Sequence, residues 1–240
     1  MKFTIITSSL NDLVGLKKTI DSIIIQDEID WEHIIIDGNS NDGTIQYFGK
    51  LKNPKIVFVS EQDTGVYNAW NKAINKINGD WVIFLGAGDT LFPSTLNKFR
   101  LQIESDSRLN FICSKTLLYE KQNIIIGEPF DEIKIEKYCN ISISGACIKS
   151  TFFQNFSFDE KFNSAGDYDF ILSIRKQINP SFIDEVLSTM QPGGISSKLI
   201  SLIETRKAQI NRNVSSLTLV NLYFIKSYFA WLKNKLIFKF

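Results

Sequence analysis

What most constrains this chain is the order of its first ninety residues. Four short apolar runs alternate with segments of helical period, and each run ends in a turn rich in Gly, Asp, Asn or Ser. Residues 3–7 are a β-branched run, and Leu13, Leu16, Ile20, Ile23 and Ile24 then repeat with the period of a helix. Residues 33–36 read as a buried strand ending in Asp37, followed by the turn DGNSNDGT, whose Thr44 can open a second helix. Residues 56–59 form a third strand. Val66, Ala69, Ala73, Ile74 and Ile77 mark a third helix, closed by Asn78-Gly79. Residues 81–85 are a fourth strand, leading into GAGDT at 86–90. This order predicts an α/β fold with a mainly parallel central sheet, flanking helices on both faces and right-handed crossovers. Ligands of such sheets collect beyond the carboxyl ends of the strands. Ser8 and Ser9, Asp37, Glu61 and Asp63, and Asp89 fall there.

The second half is less regular. Short strands are expected at 111–113, 117–119, 124–126 and 146–148, with a hairpin at 121–123. A helix is expected over 168–177, opening at the acidic cluster GDYD (166–169). After the turn at Pro192-Gly193-Gly194 the chain reads as helical and increasingly aromatic. No linker is visible. The division expected is a domain over 1–195, with a ligand-binding half at 1–90 and a second half at 91–195, and a C-terminal helical extension over 196–240.

Composition narrows the chemistry. With 27 basic and 26 acidic residues the net charge is +1, which argues against a nucleic-acid partner. His33 is the only imidazole, so any Ser-His or Cys-His site would have to use it. Cys113, Cys139 and Cys147 form no CxxC pair, which disfavours a structural zinc site. Proton chemistry therefore falls to carboxylates. The apolar N-terminal run is too short for a signal peptide, and no run of about 18 apolar residues occurs, so a cytoplasmic chain is expected.

There is neither GxxxxGK[ST] nor GxGxxG after the first strand, so a phosphate ligand needs another neutralising group. A divalent cation held by one or two carboxylates and the phosphates would serve. Asp89 is the best candidate, although Asp89, Asp37 and Asp63 each also read as ordinary turn aspartates; their shared place at strand ends favours a site. Asp167 and Asp169 read either as helix N-terminal charge or as a general base beside a second carboxylate, and spacing alone favours the first. The run 219–240 carries four lysines and no acid among Tyr, Phe, Trp and Leu. It is either a helix packed on the core or an interfacial helix on an anionic membrane, the latter making the protein peripheral to the inner face of the cytoplasmic membrane.

FTIITSSLN (3–11), EHIIIDGNSNDGT (32–44), SEQDTGVYNAWNKAINKINGDWVIFLGAGD (60–89) and FDEKFNSAGDYDFILSIRKQ (158–177) together resemble the family 2 glycosyltransferases of GT-A fold, over roughly the first 195 residues. The resemblance implies an inverting transferase that uses a nucleotide-sugar, most often a UDP-sugar, with Mg²⁺ or Mn²⁺ at a DXD-type motif. It implies that Ser8 and Ser9 line the base pocket and that Asp37 bonds the base. It further implies that Asp63 and Gly65 lie beside the donor, that Asn71 and Lys72 are the Asn-Lys pair of the next helix, and that Gly88 and Asp89 belong to the DXD-type motif, Asp89 as metal ligand. Asp167 matches the catalytic base, and residues 192–196 resemble a downstream Gly-Gly-x-Ser loop. Many relatives carry Asp where this chain has Gly88 and Glu where it has Gly166, and some a His near Ile143.

The reading is thus a metal-dependent transferase acting on a glycan or lipid-linked sugar acceptor in cell-surface polysaccharide assembly, such as O-antigen or capsule. One rival is a sugar-phosphate nucleotidyltransferase; its basic Gly-rich loop is missing from TSSLND. The other is a non-catalytic sugar-nucleotide-binding or scaffold protein, which Gly88 would favour.

Overall fold

A computed structural model of the chain describes residues 1–27, 30–118, 124–191 and 198–238, with side chains as far as 233. The strands are β1 (Phe3–Ser9), β2 (Trp31–Asp37), β3 (Ile56–Ser60), β4 (Trp81–Gly86), β5 (Thr90–Leu91), β6 (Phe111–Leu118), β7 (Ile124–Ile126), β8 (Ala146–Lys149) and β9 (Pro180–Met190). The helices are α1 (Leu13–Ile24), α2 (Thr44–Lys50), α3 (Val66–Ile74), α4 (Thr95–Ser105), the single turn α5 (Glu132–Ile135), α6 (Gly166–Ile174), α7 (Leu199–Asn211) and α8 (Leu217–Phe238).

One sheet runs in the order β3-β2-β1-β4-β8-β6-β9-β5, with β7 beside β6. The first four strands are parallel, as the alternation of strand and helix predicts. Beyond β4 the sheet is mixed: β8 is antiparallel to β4 and β6, β9 is parallel to β6, and β5 is antiparallel to β9. Both faces are covered. Ile6, Ile34, Ile36, Val82 and Phe84 pack against α3 and α6, while Phe3, Ile5, Trp81, Ile83 and Leu85 pack against Leu96 and Phe99 of α4. That is the period of two expected of strands buried on both faces.

Several expectations change in detail. Residues 111–113 and 117–119 were expected as two strands; Phe111–Leu118 is one strand, bent by a register shift against β9 at Ser114/Lys115. Helix α3 ends at Ile74, and α6 passes into a 3-10 turn at Arg175–Gln177. The sequence reading left Pro180–Met190 unassigned, yet it is the longest strand described. Its half-exposed, mixed-polarity residues hide the alternation that identifies a strand. The expected turn at 121–123 and the 192–196 loop lie outside the described residues. No described helix is long and apolar enough to cross a membrane.

Candidate active site

The parallel strands end together. Ser9 is paired with Asp37, Asp37 with Ser60 and Ser8 with Gly86, so register alone gathers the polar strand ends on one edge. The loops fold back onto it: the Gly38 and Glu61 amides donate to the Ser9 and Asp37 carbonyls at 2.8 and 2.9 Å, and the Ala87 amide to the Ser8 carbonyl at 3.3 Å.

Asp37 is fully buried, and its carboxylate is taken up by the Ser40 amide (2.9 Å), the Ser40 hydroxyl and the Ser60 hydroxyl (2.7 Å). It organises the β2–α2 turn from within. The Ser9 hydroxyl is buried nearby, with no partner among the described residues. A buried hydroxyl left unpaired is costly, and a ligand group reaching it would relieve that cost. Asp63 accepts from the Gly65 amide at 3.0 Å and leans over Gly38, where a Cβ would stand 2.9 Å from its carboxylate. Gly65, at φ +138°, is the N-cap of α3. Asn71 and Lys72 brace this region: Asn71 grips the amide and carbonyl of Phe158 at 2.8 and 3.0 Å, and Lys72 donates to the Gln62 carbonyl at 2.7 Å and pairs with Glu61 at 3.2 Å.

The turn after β4 is locked from every side. Thr19 of α1 donates to the Asp89 carbonyl at 2.7 Å and accepts from the Gly88 amide at 2.9 Å. The Asp89 carboxylate, 6% exposed, accepts from the Gly86 amide (3.1 Å), the Ser144 hydroxyl (2.8 Å) and the Gln191 amide (3.0 Å). Burial raises its pKa, against the pull of these donors. Gly88 has φ +93°, and a Cβ there would sit 2.6 Å from Cγ of Gln191. A side chain at this point would therefore be strained and would force Gln191 to shift. A carboxylate offers about four acceptor positions, so one remains for a cation. Among the described residues no three His, Cys, Asp or Glu side chains converge on one point. The residues fit a divalent ion that takes most of its shell from diphosphate oxygens and water.

Asp167 sits in the first turn of α6 and is half-buried. One carboxylate oxygen accepts from the Tyr67 hydroxyl at 3.2 Å and the Tyr168 amide at 2.9 Å; among the described residues no donor takes the other. Burial raises its pKa, with the two donors opposing. Gly166 passes so close to Tyr67 that a Cβ there would lie 2.8 Å from the ring. Asp169 is turned away, 3% exposed, its carboxylate paired through both oxygens with Arg212. His33 is fully buried against the Thr7 hydroxyl at 2.9 Å, and burial lowers its pKa to about 3. The lone imidazole is thus part of the core.

Sequence reasoning missed Tyr67, Ser144, Gln191 and Glu160. Tyr67 falls inside the quoted segment 60–89, but its role depends on a residue 100 positions away. Glu160 binds Asn71 and Asn68 at 3.0 and 2.9 Å, which holds its carboxyl below the ordinary range.

Comparison with known proteins adds the following. The family model described as glycosyl transferase family 2 matches residues 4–154. A PGL/p-HBAD biosynthesis glycosyltransferase of Mycobacterium bovis is 26% identical over 208 residues, 82% of this chain and 80% of the relative. An uncharacterised glycosyltransferase of Methanocaldococcus jannaschii is 27% identical over 186 residues, 72% of this chain and 64% of the relative. The fold is shared with S. aureus TarS 1–349 in complex with UDP-GlcNAc (TM-score 0.76, 17% identity, 93% of this chain and 70% of that one). The chain spans 42% of the longer TarS chain. It is also shared with the mannosyltransferase PcManGT of Pyrobaculum calidifontis in complex with GDP-Man and Mn²⁺ (TM-score 0.68, 14% identity, 92% and 69% covered).

Proposed function

The chain belongs to glycosyl transferase family 2, and on that premise we propose that it moves a sugar from a nucleotide-sugar to a hydroxyl of a glycan or lipid-linked acceptor, inverting the anomeric carbon. The observation that carries this reading is the contrast between two aspartates: the buried Asp89 is immobilised by three donors, whereas the half-buried Asp167 keeps one oxygen without a donor among the described residues.

Ser8, Ser9, Asp37, Asp63 and Gly65 form the edge that receives the nucleotide, with the Ser9 hydroxyl as an available partner. Asn71 and Lys72 act by fixing the loops around that edge. Asp89 would hold the divalent cation, Mg²⁺ or Mn²⁺. When bound, such an ion would neutralise charge on the departing diphosphate. Asp167 takes the proton of the acceptor hydroxyl as that oxygen attacks the anomeric carbon. Its raised pKa makes it a stronger base than an exposed aspartate, and the Tyr67 hydroxyl keeps it oriented. A single displacement needs no covalent nucleophile, so a buried His33 is no obstacle.

A UDP-sugar is our reading of the donor; the UDP-GlcNAc complex of TarS supports it. The context we propose is cell-surface polysaccharide synthesis. Helix α8 supports peripheral contact with an anionic membrane, because its outer face carries exposed Leu222, Ile225 and Phe229 beside Lys226 and Lys233. Full-length protein that stays at the bottom of a flotation gradient with anionic liposomes would remove this element.

The deciding experiment is a thermal-shift panel of nucleoside diphosphates and sugar nucleotides, with and without Mn²⁺, followed by nucleoside diphosphate release with an acceptor lipid extract. A ligand at about 100 times its Kd adds about 2.7 kcal/mol. If no sugar nucleotide stabilises the protein in either condition, the reading fails.

A further inference from the structure

Helix α6 begins without a cap of its own: Ala165 stands at the N-cap and supplies no side-chain acceptor. The amides there need partners, and the helix end is electropositive. The partner comes from α7. Glu204 is 4% exposed, and its carboxylate accepts from the amides of Asn163 (2.9 and 3.0 Å), Ser164 (2.7 Å) and Ala165 (3.1 Å), and from the Asn163 side chain at 3.0 Å. The same face of α7 reaches further along α6. Gln209 donates to the Tyr168 hydroxyl at 3.3 Å, and Arg212, just past the helix, pairs with Asp169. Positions 204, 208 and 212 share one stripe of a helix, and Ala208 on that stripe is fully buried. The residues gripped are 163–165, 168 and 169, which bracket Asp167 on both sides and leave it untouched.

We propose that Glu204 is a positioning residue for the transfer reaction: an internal anion that fills the amide nest ahead of α6 and so fixes the direction in which Asp167 faces the acceptor. The proposal rests on reading Asp167 as the base. A local Ser or Asp cap would satisfy the same amides; a Glu on α7 does so only when α7 is docked, so the base is set by a helix that takes no part in the donor edge. The proposed donor edge is built by β1, β2, β3, the β4 turn and α3, whereas the hydrogen bonds of Glu204 among the described residues all go to residues 163–165, so its removal should leave donor binding alone.

The test uses the full-length chain with Glu204→Gln, nearly isosteric, and Glu204→Ala. Donor Kd should stay within about twofold, and kcat should fall about 10- to 100-fold with donor KM unchanged, the scale of a small misplacement of a reacting group. Formate should restore turnover of Glu204→Ala several-fold and leave wild type unaffected. Carbon NMR of the Asp167 carboxyl, assigned by its disappearance in Asp167→Asn, should show a displaced resonance in Glu204→Gln; this readout needs no turnover. A wild type inactive with every acceptor would defeat the transfer reading, while the resonance still decides the placement of Asp167. If the resonance does not move in folded Glu204→Gln, or if the loss falls on donor binding, Glu204 is a structural cap only.

Discussion

The turn that carries Asp89 and the helix that carries Asp167 solve opposite problems. Asp89 is clamped by groups from four places in the chain: its own turn, Thr19 of α1 behind it, Ser144 and Gln191. Asp167 is held on one oxygen by Tyr67 and its own helix, and the elements that steady it bind its neighbours instead. Both carboxyls have raised pKa values from burial. A group that holds a ligand gains from being over-determined, whereas a group that changes protonation must keep a lone pair open. On the proposed reading, the difference teaches that a raised pKa marks both aspartates, while the hydrogen-bond pattern separates the roles proposed for them.

The largest effect should come from Asp89→Ala. Turnover should fall by roughly three orders of magnitude, and Mn²⁺ should no longer tighten binding of the nucleoside diphosphate. Stability should fall as well, because each buried donor left unpaired costs about 1–3 kcal/mol. A folded Asp89→Ala protein with unchanged Mn²⁺-dependent binding would erase the contrast.

Asp167→Asn should do the reverse: kcat lowered by roughly two to four orders of magnitude, with donor Kd nearly intact and stability close to wild type. Asp169→Asn, which strips Arg212 of its partner, should cost about 1–3 kcal/mol of stability and little kcat. If Asp169→Asn proves the inactive variant, the two carboxylates have been assigned the wrong way round.

Tyr67→Phe is a finer probe. The Tyr67 hydroxyl lowers the Asp167 pKa, against burial. Its loss should move the acid limb of kcat/KM to higher pH. The limb itself should rise with pH, because the base works only when ionised, and should lie above the ordinary aspartate range. Losing a hydrogen bond of about 0.5–1.5 kcal/mol should lower kcat/KM by about 2- to 12-fold on that limb. An unmoved limb would detach Tyr67 from the base.

The same division explains what could be read from residues alone. The proposed donor edge follows from local signals. A two-residue strand period, helical spacing and Asp-Gly turns placed Ser8, Ser9, Asp37, Asp63 and Asp89 at strand ends, and parallel register then aligned them. The far side is joined by contacts across long stretches of chain: Tyr67 with Asp167, Gln191 with Asp89, Glu204 with residues 163–165. Neither spacing nor period encodes such pairs. Strand β9 stayed illegible for a related reason, since it is recognised by its partners β6 and β5 and not by its own alternation.

The smallest effect concerns the support beneath the donor edge. His33 lies in β2 with Nε2 2.9 Å from the Thr7 hydroxyl of β1, and Nδ1 is buried without a partner among the described residues. The unfolded chain binds a proton on this imidazole below about pH 6.5, whereas burial keeps the folded one neutral down to about 3. Between those values the unfolded state binds more protons, so stability must fall as pH falls. From pH 7 to pH 5 the cost should approach about 2 kcal/mol, at about 1.36 kcal/mol per unit below the unfolded pKa. The raised pKa values of Asp89 and Asp167 act with the opposite sign, since their folded forms gain protons first. Glu32 and Glu204, with lowered pKa values, begin to lose their contribution as pH falls through the ordinary carboxylate range and lose it fully below their folded pKa values. Comparing urea unfolding of wild type and His33→Gln at both pH values cancels the carboxylates and leaves the imidazole. The variant should be less stable at pH 7, flatter between the two pH values, and unchanged in kcat per folded molecule. Loss of kcat with stability preserved would return the imidazole to the chemistry; an equal pH slope in both proteins would mean that solvent reaches His33 and that the β1–β2 support is looser than its packing indicates.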